Sequence, residues 1–467
     1  MSGEPSARDR QIHVCLLDMA TVSHNNYGLW AHPENQKTRY TEASFWVEIA
    51  RLCEEAKLDA LFFADLSGIA AGFRGTMDVA IREGMHVPIL DPVVTMATMA
   101  ASTTHLGFGA TVSATYEHPF GHARRMSTLD HLTGGRAGWN VVMSYTPNAN
   151  DNYGFRTDLD SAGRYDRADE FMEVCYRLWE ESWEDDAVVA DRVDQVYADP
   201  AKVHRIDHVG EHYRSAGPHL LEPSPQRTPV IFQAGMSERG RRFAATHAEV
   251  AFLVGRTPED LKQAVVDIRD EAQRLGRGAY ALRTLAEATV ITGANTEEAR
   301  AKEASFRALT RPDGYLAHLF GNGFDPTAHP RERLLSTALA MDGFGGHRSG
   351  TGMYPVQTTV GDMIDKASDM TNNSCLFTVG SPEDVADAME GWMEEFDLDG
   401  FLLRNLVHPG TVADFGRYVV PELQRRGRYR TEYEGTTLRE NLFGVGHRRL
   451  PDTHPGSAHR RSQRPTS

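Results

Sequence analysis

Polar side chains that could bind a ligand or move a proton follow five separate apolar runs of this 467-residue sequence. The five groups are Thr21, Ser23, His24 and Asn25; Asp65; Thr111 and Ser113; Ser144 and Tyr145; and Gly235, Met236 and Ser237. Taken alone, each group is ordinary, because an Asp after a strand often caps a helix and a loop His is usually solvated. Five groups placed in the same way indicate a ligand site.

The segment QAGMSERGRR after the fifth run has the form of an anion cradle. Gly235 allows a sharp turn, Ser237 can cap the next helix, and the free N–H groups of that helix's first turn attract a phosphate. Simple N-capping by Ser237 explains the segment equally well in isolation. Because the other groups follow strands in the same way, we predict a phosphate site here.

Eight β-rich runs alternate with amphipathic helices and would position these groups. Several of the runs, such as VIFQAG and VAFLVG, are almost continuously apolar, which is typical of parallel strands buried on both faces. The pattern predicts an α/β fold, a TIM (β/α)8 barrel, whose active site lies at the C-terminal ends of the strands. The predicted strands are Gln11–Met19, Ala60–Asp65, His105–Ser113, Arg136–Met143, Thr228–Gly235, Glu249–Gly255, Leu285–Gly293 and Gly400–Arg404.

We expect one barrel domain over residues 11–446 with two insertions. Residues 184–227 are charged and rich in turns, and residues 306–373 contain the glycine-dense MDGFGGHRSGTGMYP. The second insertion is predicted to be a mobile lid, since glycine-rich backbone moves at little steric cost; a solvated insertion is the alternative. Residues 1–10 and the basic tail 447–467 are predicted to be disordered.

The composition excludes several partners and classes of site. A net charge of −16 argues against nucleic acid binding. The N-terminus has no apolar signal segment and no run could cross a bilayer, so we expect a cytoplasmic protein without a membrane partner. The four cysteines lack redox or zinc spacing, and neither a G-x-G-x-x-G nucleotide motif nor an H-E-x-x-H metal motif occurs. Redox chemistry would therefore need a diffusible reduced cofactor.

The stretch from Glu117 to Ser144 reads as a helix, a glycine turn and a strand that contains Asn140. With GLWAHPENQ, RYDRADEFMEVCYRLWE, EPSPQRTPVIFQAGMSERG and VVPELQRRGRYR, it resembles the bacterial luciferase-like flavin monooxygenases. The resemblance is to the branch of the nitrilotriacetate, dibenzothiophene-sulfone and long-chain alkane monooxygenases, over about residues 11–450. It implies a luciferase-like barrel that uses FMN, delivered as FMNH2 by a separate NAD(P)H:flavin reductase, and O2, in a homodimer or homotetramer.

The resemblance also implies roles for individual residues. Flavin contacts would come from Asp65, Thr111, Ser144, Tyr165, Met236 and Ser237, with Asn140 beside the ring. Four residues before Tyr165, where relatives often carry His, this sequence has Ser161. Alkane-oxidising members place Cys, His, Tyr, His and His around the pocket, where this sequence has Thr21, His24, Ala70, Tyr145 and His318. The resemblance therefore does not by itself imply an alkane pocket, because these differences change both its shape and its hydrogen bonding.

We hypothesise a two-component monooxygenase that inserts one oxygen atom from O2 into a small organic substrate through a flavin peroxide. His24 and His318 would exchange protons and Tyr145 would donate a hydrogen bond; a structural or solvated role is the alternative for each histidine. A deazaflavin (F420)-dependent hydride-transfer oxidoreductase and a non-catalytic flavin-binding protein are the other possibilities. A metal-dependent barrel hydrolase has less support. Hydroxylation, C–N cleavage and C–S cleavage are all open.

Overall fold

A computed structural model describes residues 10–144, 147–154, 161–253, 257–321, 323–343, 357–367 and 375–461. The strands, in chain order, are β1 His13–Asp18, β2 Ala60–Phe63, β3 Gly107–Ser113, β4 Ala137–Val142, β5 Val188–Asp191, β6 Val196–Ala198, β7 His208–Val209, β8 Arg214–Ser215, β9 Val230–Gln233, β10 Val250–Leu253, β11 Arg283–Thr292, β12 Leu376–Gly380 and β13 Gly400–Arg404. Eight of them form a closed parallel barrel in the order β1-β2-β3-β4-β9-β10-β11-β13. The predicted TIM barrel is confirmed, and each of the eight predicted runs supplies one barrel strand.

The barrel closes because both end strands find partners on both sides. Cys15 of β1 pairs with Ala60 of β2 and with Leu402 of β13. β11 pairs with β10 on one side and with β13 on the other. No edge of these eight strands is left to pair with another chain.

Helices cover the outside of the barrel and the loops at its ends. α1 shows the reason, since Phe45, Trp46, Ile49 and Cys53 recur at helical spacing and are all buried on one face. The helices are α1 Ala43–Glu55, α2 Asp78–Arg82, α3 Pro92–Ala100, α4 Pro119–Thr133, α5 Pro147–Asn152, α6 Ser161–Tyr176, α7 Glu238–His247, α8 Pro258–Arg274, α9 Thr296–Leu309, α10 Pro312–Leu319, α11 Leu335–Met341, α12 Val360–Ala367, α13 Pro382–Phe396, α14 Gly410–Asp414, α15 Val420–Arg425 and α16 Leu438–Phe443. Among the described residues, no helix is long and apolar enough to span a membrane.

Aromatic rings fill the middle of the barrel. The ring of Phe62 lies 5.8 Å from that of Phe232 and 4.5 Å from that of Phe252, measured between centroids. Gly138 makes room for this layer, because a Cβ added there would lie 2.3 Å from the Phe232 ring. The barrel is thus a packed core rather than a channel.

The chain closes the N-terminal end of the barrel with its own last helix. Leu438 and Leu442 of α16 join the interior apolar cluster, and Arg439 between them donates from Nε to Glu249 Oε1 over 2.6 Å. A ligand site inside the barrel must therefore lie at the opposite end, where the strands finish.

A ninth strand that the sequence did not suggest pairs outside the barrel. β11 is ten residues long, and its lower part pairs with β10 and β13. Its upper part, from Ala288 to Thr292, pairs with β12. The extra strand extends the sheet beyond the barrel at the C-terminal end.

The two insertions contain regular structure. Residues 184–227 form two short hairpins, β5 with β6 and β7 with β8. In residues 306–373 the described part is helical, and α10, α11 and α12 share an apolar cluster with Tyr27, Phe73 and Met85 from the loops after β1 and β2. Residues 344–356, which hold most of the glycine-rich motif, lie outside the described residues, so lid movement stays a prediction.

The expected disorder at the two ends does not hold where the structure describes them. Residues 447–461 pack against the barrel and include the 3-10 helix Pro455–His459. His454 Nε2 donates to the His247 carbonyl over 2.9 Å, and Arg460 Nε donates to Glu180 Oε2 over 2.7 Å. Arg10 is buried and pairs with Asp399. The basic residues that suggested a solvated tail instead form ion pairs with buried carboxylates. Residues 1–9 and 462–467 are not described.

Candidate active site

Two neighbouring barrel strands present a hydrogen-bonded pair to the upper interior. Thr111 of β3 and Asn140 of β4 face each other in register, and Asn140 Nδ2 donates to Thr111 Oγ1 over 3.0 Å. Both residues are only 4% exposed. The structure therefore brings together two of the predicted cofactor residues.

Several buried polar atoms at this end of the barrel have no hydrogen-bond partner among the described residues. They include Oδ1 of Asn140, Oγ1 of Thr289 on β11 and Oδ1 of Asn405, which directly follows β13. Buried polar atoms are paired in the great majority of proteins. Three such atoms, one on β4, one on β11 and one directly after β13, indicate that a polar ligand completes the site.

A buried ion pair lies on the inner face of the last two barrel strands. Arg404 Nε donates to Glu287 Oε1, and the side chains are 8% and 5% exposed. Burial raises the pKa of Glu287, although the guanidinium opposes that shift. We did not single out this pair from the sequence. A signal was available, since Glu287 is a charged residue within an apolar predicted strand and Arg404 ends another.

The segment after β9, the predicted cradle, begins α7 with a serine cap, and its binding of a phosphate stays a prediction. Ser237 caps α7, its Oγ accepting from Gly240 N over 3.0 Å, and Gly235 N donates to Gln233 Oε1 over 2.6 Å. Burial raises the pKa of Tyr165, on α6, and the nearby side chains of Ser237 and Gln233 oppose that shift. Tyr165, Gly235 and Ser237 are thus brought together, as the sequence predicts.

Two glycines allow the Tyr165 hydroxyl to approach the cradle. A Cβ added at either Gly235 or Gly240 would lie 2.7 Å from that hydroxyl. Ser237 is exposed, whereas Met236 is partly buried against the main core, and its carbonyl accepts from Arg241 Nη1 over 2.6 Å. The cradle therefore combines a fixed backbone with a serine that a ligand can reach.

One cationic side chain lies beside the cradle. The guanidinium of Arg239 lies 5.2 Å from the centre of the Tyr165 ring and pairs with Asp166 and Asp169. The N-terminus of α7 adds its own partial positive charge. The helix N-terminus favours an anion, whereas Asp166 and Asp169 offset the charge of Arg239, a residue that we did not predict.

Two more predicted residues lie at the same rim. Asp65 follows β2, and burial raises its pKa to about 7, with the Asp91 carboxylate contributing. Asp65 can therefore donate a hydrogen bond in slightly acidic solution. Ser144 follows β4, and its carbonyl accepts from Thr115 Oγ1 over 3.3 Å. Tyr145 lies outside the described residues, so its role stays a prediction.

The predicted catalytic histidines belong to one cluster of aromatic side chains. The Tyr27 hydroxyl lies 2.9 Å from Nδ1 of His318 and 2.9 Å from Nε2 of His86. The His86 ring is 4.9 Å from that of His318 and 5.5 Å from that of His24, measured between centroids. Tyr27 and His86 were missed, because their meeting depends on how the insertion carrying α10 docks on the loops after β1 and β2.

The surroundings of both predicted histidines favour the neutral imidazole. Desolvation, with the charge of Arg404 contributing, lowers the pKa of His24 to about 3 and that of His318 to about 4, although part of the His318 side chain is exposed. Asn25 Nδ2 donates to Nε2 of His24 over 3.1 Å, so this nitrogen is unprotonated and the His24 proton is on Nδ1. Neutral imidazoles can accept a proton from a bound reactant.

A buried ionic triad fixes the loops that carry these groups. Asp18, which ends β1, contacts Lys37 Nζ, and its Oδ2 lies 2.9 Å from Nε2 of His408. Burial alone would raise the pKa of Asp18, but Lys37 and His408 hold it well below the usual range. Asn405 Nδ2 donates to His408 Nδ1 over 3.1 Å. The loops after β1 and β13 are thus fastened together.

Residues 26–398 match the family model of the luciferase-like monooxygenases. The chain belongs to this family. It is 48% identical over 452 residues to the long-chain alkane monooxygenase of Geobacillus thermodenitrificans (strain NG80-2), covering 97% of this chain and 98% of the relative. It is 42% identical over 461 residues to the dimethyl-sulfide monooxygenase of Hyphomicrobium sulfonivorans, covering 97% and 94%.

Solved structures agree with the sequence comparison. A crystal structure of long-chain alkane monooxygenase superposes with a TM-score of 0.90 at 47% identity, covering 97% of this chain and all of that one. The crystal structure of a riboflavin lyase with modified FMN and riboflavin gives a TM-score of 0.87 at 38% identity, with 97% and 100% covered. The predicted family, fold and class of enzyme, a flavin-dependent monooxygenase, are confirmed.

The deazaflavin alternative is supported by the fold alone. A coenzyme F420 dependent reductase from Methanopyrus kandleri is 14% identical, with a TM-score of 0.54.

Among the residues that the structure describes, no group of three or more His, Cys, Asp or Glu side chains could hold a metal ion.

Proposed function

We propose that the chain is the oxygenase component of a two-component system. It uses FMNH2 from a separate NAD(P)H:flavin reductase, together with O2, to insert one oxygen atom into a small organic substrate. The observation that carries the proposal is the set of unpaired buried polar atoms on Asn140, Thr289 and Asn405, in a member of this family. They call for a polar ligand deep in the upper barrel.

The residues of the candidate site fit both the phosphate and the isoalloxazine ring of FMN. The cradle, with the Ser237 hydroxyl, the Tyr165 hydroxyl and the N-terminus of α7, would bind the phosphate. Thr111, Asn140, Asp65, Ser144 and Met236 would surround the isoalloxazine ring, whose polar edge alternates hydrogen-bond donors and acceptors. When bound, reduced flavin supplies the electrons and activates oxygen.

The protein's own part in the reaction is to keep water out and to move protons. The Phe62, Phe232 and Phe252 layer closes the site from below, and α10 to α12 cover the loops above it. Exclusion of water favours oxygenation over release of hydrogen peroxide. His24 and His318 would exchange protons with the reactants, and Tyr145 would donate a hydrogen bond.

The pocket residues favour an apolar substrate. The Thr21 hydroxyl already donates to the Pro88 carbonyl over 2.6 Å, so it has no proton left to offer a substrate. Ala70 contributes only a methyl group, close to Gly321. We therefore propose alkanes or dialkyl sulfides, the classes named for the two relatives above, rather than aminopolycarboxylates.

The decisive assay supplies FMN, a generic flavin reductase, NADH and ¹⁸O2 to the purified chain. Alkanes, dialkyl sulfides, sulfones, aromatic amines and aminopolycarboxylates are offered in turn, and products are read by mass spectrometry. We expect one ¹⁸O atom in the product of an apolar substrate. Tight FMN binding without labelled product from any substrate would instead indicate a flavin-binding protein. Anaerobic oxidation of reduced deazaflavin would indicate hydride transfer.

We further propose a cytoplasmic enzyme that assembles as a homodimer or homotetramer. The support for the compartment is that Cys15, Cys53 and Cys175 are buried and form no disulfide, as expected in a reducing environment. Light scattering coupled to size-exclusion chromatography measures the assembly directly. A monomer at micromolar concentration would contradict this part of the proposal.

A further inference from the structure

The Tyr27 hydroxyl lies between two imidazoles and has only one proton to donate. Its hydroxyl is 2.9 Å from Nε2 of His86 and 2.9 Å from Nδ1 of His318. Burial raises the pKa of Tyr27 well above its usual range, so the hydroxyl keeps its proton. A hydroxyl has one O–H to donate. It must therefore donate to one imidazole and accept an N–H from the other.

Tyr27 is held firmly in this place. It is fully buried, and Arg311 N donates to its carbonyl over 3.0 Å. A Cβ added at Gly314 would lie 2.5 Å from the Tyr27 Cβ, so α10 packs directly on the residue. His86 is fastened separately, its backbone N donating to the Ser23 carbonyl over 3.1 Å. Three different segments of the chain thus meet at one hydroxyl.

We propose that Tyr27 is a positioning residue that couples the protonation of His318 to that of His86. If Tyr27 donates to His86, His318 carries its proton on Nδ1 and its Nε2 is a base. If Tyr27 donates to His318, the proton of His318 is on Nε2, which is then a hydrogen-bond donor. Among the described residues, nothing hydrogen-bonds to Nε2 of His318, so this nitrogen is free for a reactant.

The coupling conserves every proton. A proton taken up at Nε2 of His318 releases the Nδ1 proton to the Tyr27 oxygen. The Tyr27 proton then passes to Nε2 of His86, which becomes an imidazolium only transiently, because burial lowers the pKa of His86 well below its usual range, while the other two residues end neutral. No bond between heavy atoms changes, and the three residues together gain one positive charge. The direction of this flow rests on the proposed function, whereas the tautomers belong to the protein itself.

The test is the ¹⁵N NMR spectrum of protein labelled in the histidine rings, because protonated and unprotonated ring nitrogens have well-separated shifts. His318→Gln and His86→Gln assign the two sets of signals. In the wild type we expect one of the two nitrogens facing Tyr27 to be protonated and the other not. Two protonated or two unprotonated nitrogens at these positions would overturn the proposal without any variant of Tyr27.

Tyr27→Phe removes the shared hydroxyl and should change the tautomers of both histidines. Tyr315→Phe is the matched control, because its buried hydroxyl donates to the Asn25 carbonyl over 3.1 Å and its ring packs against that of Tyr27. A merely structural role would make the two variants alike. Unmoved His86 and His318 signals in Tyr27→Phe, or equal shifts in the control, would refute the coupling.

Kinetics supply a second readout. For Tyr27→Phe we expect kcat for oxygenation to fall about 10-fold, less than the ~10²- to 10⁴-fold contribution of a group that transfers the proton itself, with flavin affinity unchanged. Wild-type kcat would contradict the coupling. If no substrate is ever oxygenated, the proposed function fails while the NMR result still decides the coupling. If the tautomers are wrong, the proposed function is untouched.

Discussion

Replacing Ser237 by Ala tests where the flavin phosphate binds. The substitution removes a hydroxyl that caps α7, accepting from Gly240 N over 3.0 Å, and that is exposed at the cradle. The backbone turn at Gly235 and the N–H groups of α7 remain. The change therefore deletes one proposed phosphate contact and one cap.

The two losses have different sizes and appear in different measurements. A hydrogen bond to a charged group is worth about 1.5–3 kcal/mol, which corresponds to about a 10- to 150-fold loss of FMN affinity. Loss of a serine cap costs about 1 kcal/mol of folding stability. Riboflavin has no phosphate, so its affinity should hardly change. The difference between the two ligands isolates the phosphate contact.

The assay is a titration of oxidised and reduced FMN and riboflavin, the reduced forms under nitrogen, followed by fluorescence or calorimetry. Ser381→Ala is the matched control, since Ser381 caps α13 in the same way, accepting from Asp384 N over 3.2 Å. It should lose similar stability in a denaturant titration and keep its affinity for both flavins. Wild-type protein sets the reference for each value.

Two results would refute the reasoning. Equal losses for FMN and riboflavin would mean that Ser237 supports the site through the fold of α7 and does not touch a phosphate. The same loss of FMN affinity in Ser381→Ala would mean that reduced stability, rather than a lost contact, weakens binding. Either result would remove the cradle from the proposed flavin site.

The other predictions concern buried charge. His122 packs on Trp139 with neither ring nitrogen bonded among the described residues, and burial lowers its pKa from 6.5 to about 3. Below pH 6.5 the His122 ring therefore binds more protons in the unfolded chain than in the folded protein. This lowers the free energy of unfolding by ~2 kcal/mol at pH 5. His122→Phe should make the acid loss of stability shallower by that amount in urea titrations at pH 5 and 8, and an unchanged difference would contradict this. Asp65, whose pKa is raised to about 7, binds more protons in the folded state between pH 4 and 7, so stability falls as pH rises through that window. Asp65→Asn should abolish this fall, and a persisting fall would contradict the burial argument. Glu287→Met leaves the buried Arg404 guanidinium charged and should cost about 3–5 kcal/mol. Arg404→Met should cost less at pH 5, because the remaining carboxyl can take up a proton; the opposite ranking in denaturant titrations would be a contradiction.

Much of the barrel could be predicted because its strands are continuous apolar runs. The eight runs were found, and so was the glycine turn at Gly134, which ends α4 in the left-handed conformation. β12 was missed because its partner is the upper half of β11, and nothing in the local pattern shows that a strand rises beyond its barrel. The packed segment 447–461 was missed because a basic composition does not reveal that Arg460 and Arg461 form ion pairs with the buried Glu180 and Glu181.

The candidate site also contains residues that could be grouped from the sequence and residues that could not. Cradle residues such as Gly235 and Ser237 are close in sequence, so local spacing was enough to group them. The Thr111–Asn140 pair needs only the order and register of two adjacent strands. Tyr27, His86 and His318 are separated by 59 and 232 residues along the chain, and only the docking of α10 brings them together.

Strand alternation could have revealed one feature that we missed. In a barrel strand every second side chain faces the interior. Leu285 and Leu402 are interior residues, so Glu287 and Arg404, two positions further along each strand, also face inward and lie one layer above. A charge at such a position needs a partner from a neighbouring strand. Applying this rule to every predicted strand would have found the ion pair, and with it the charge that lowers the pKa of both His24 and His318. The alternation of inward- and outward-facing residues along the strands therefore predicts buried charges in a barrel site, just as polar residues at the strand ends predict its ligand contacts.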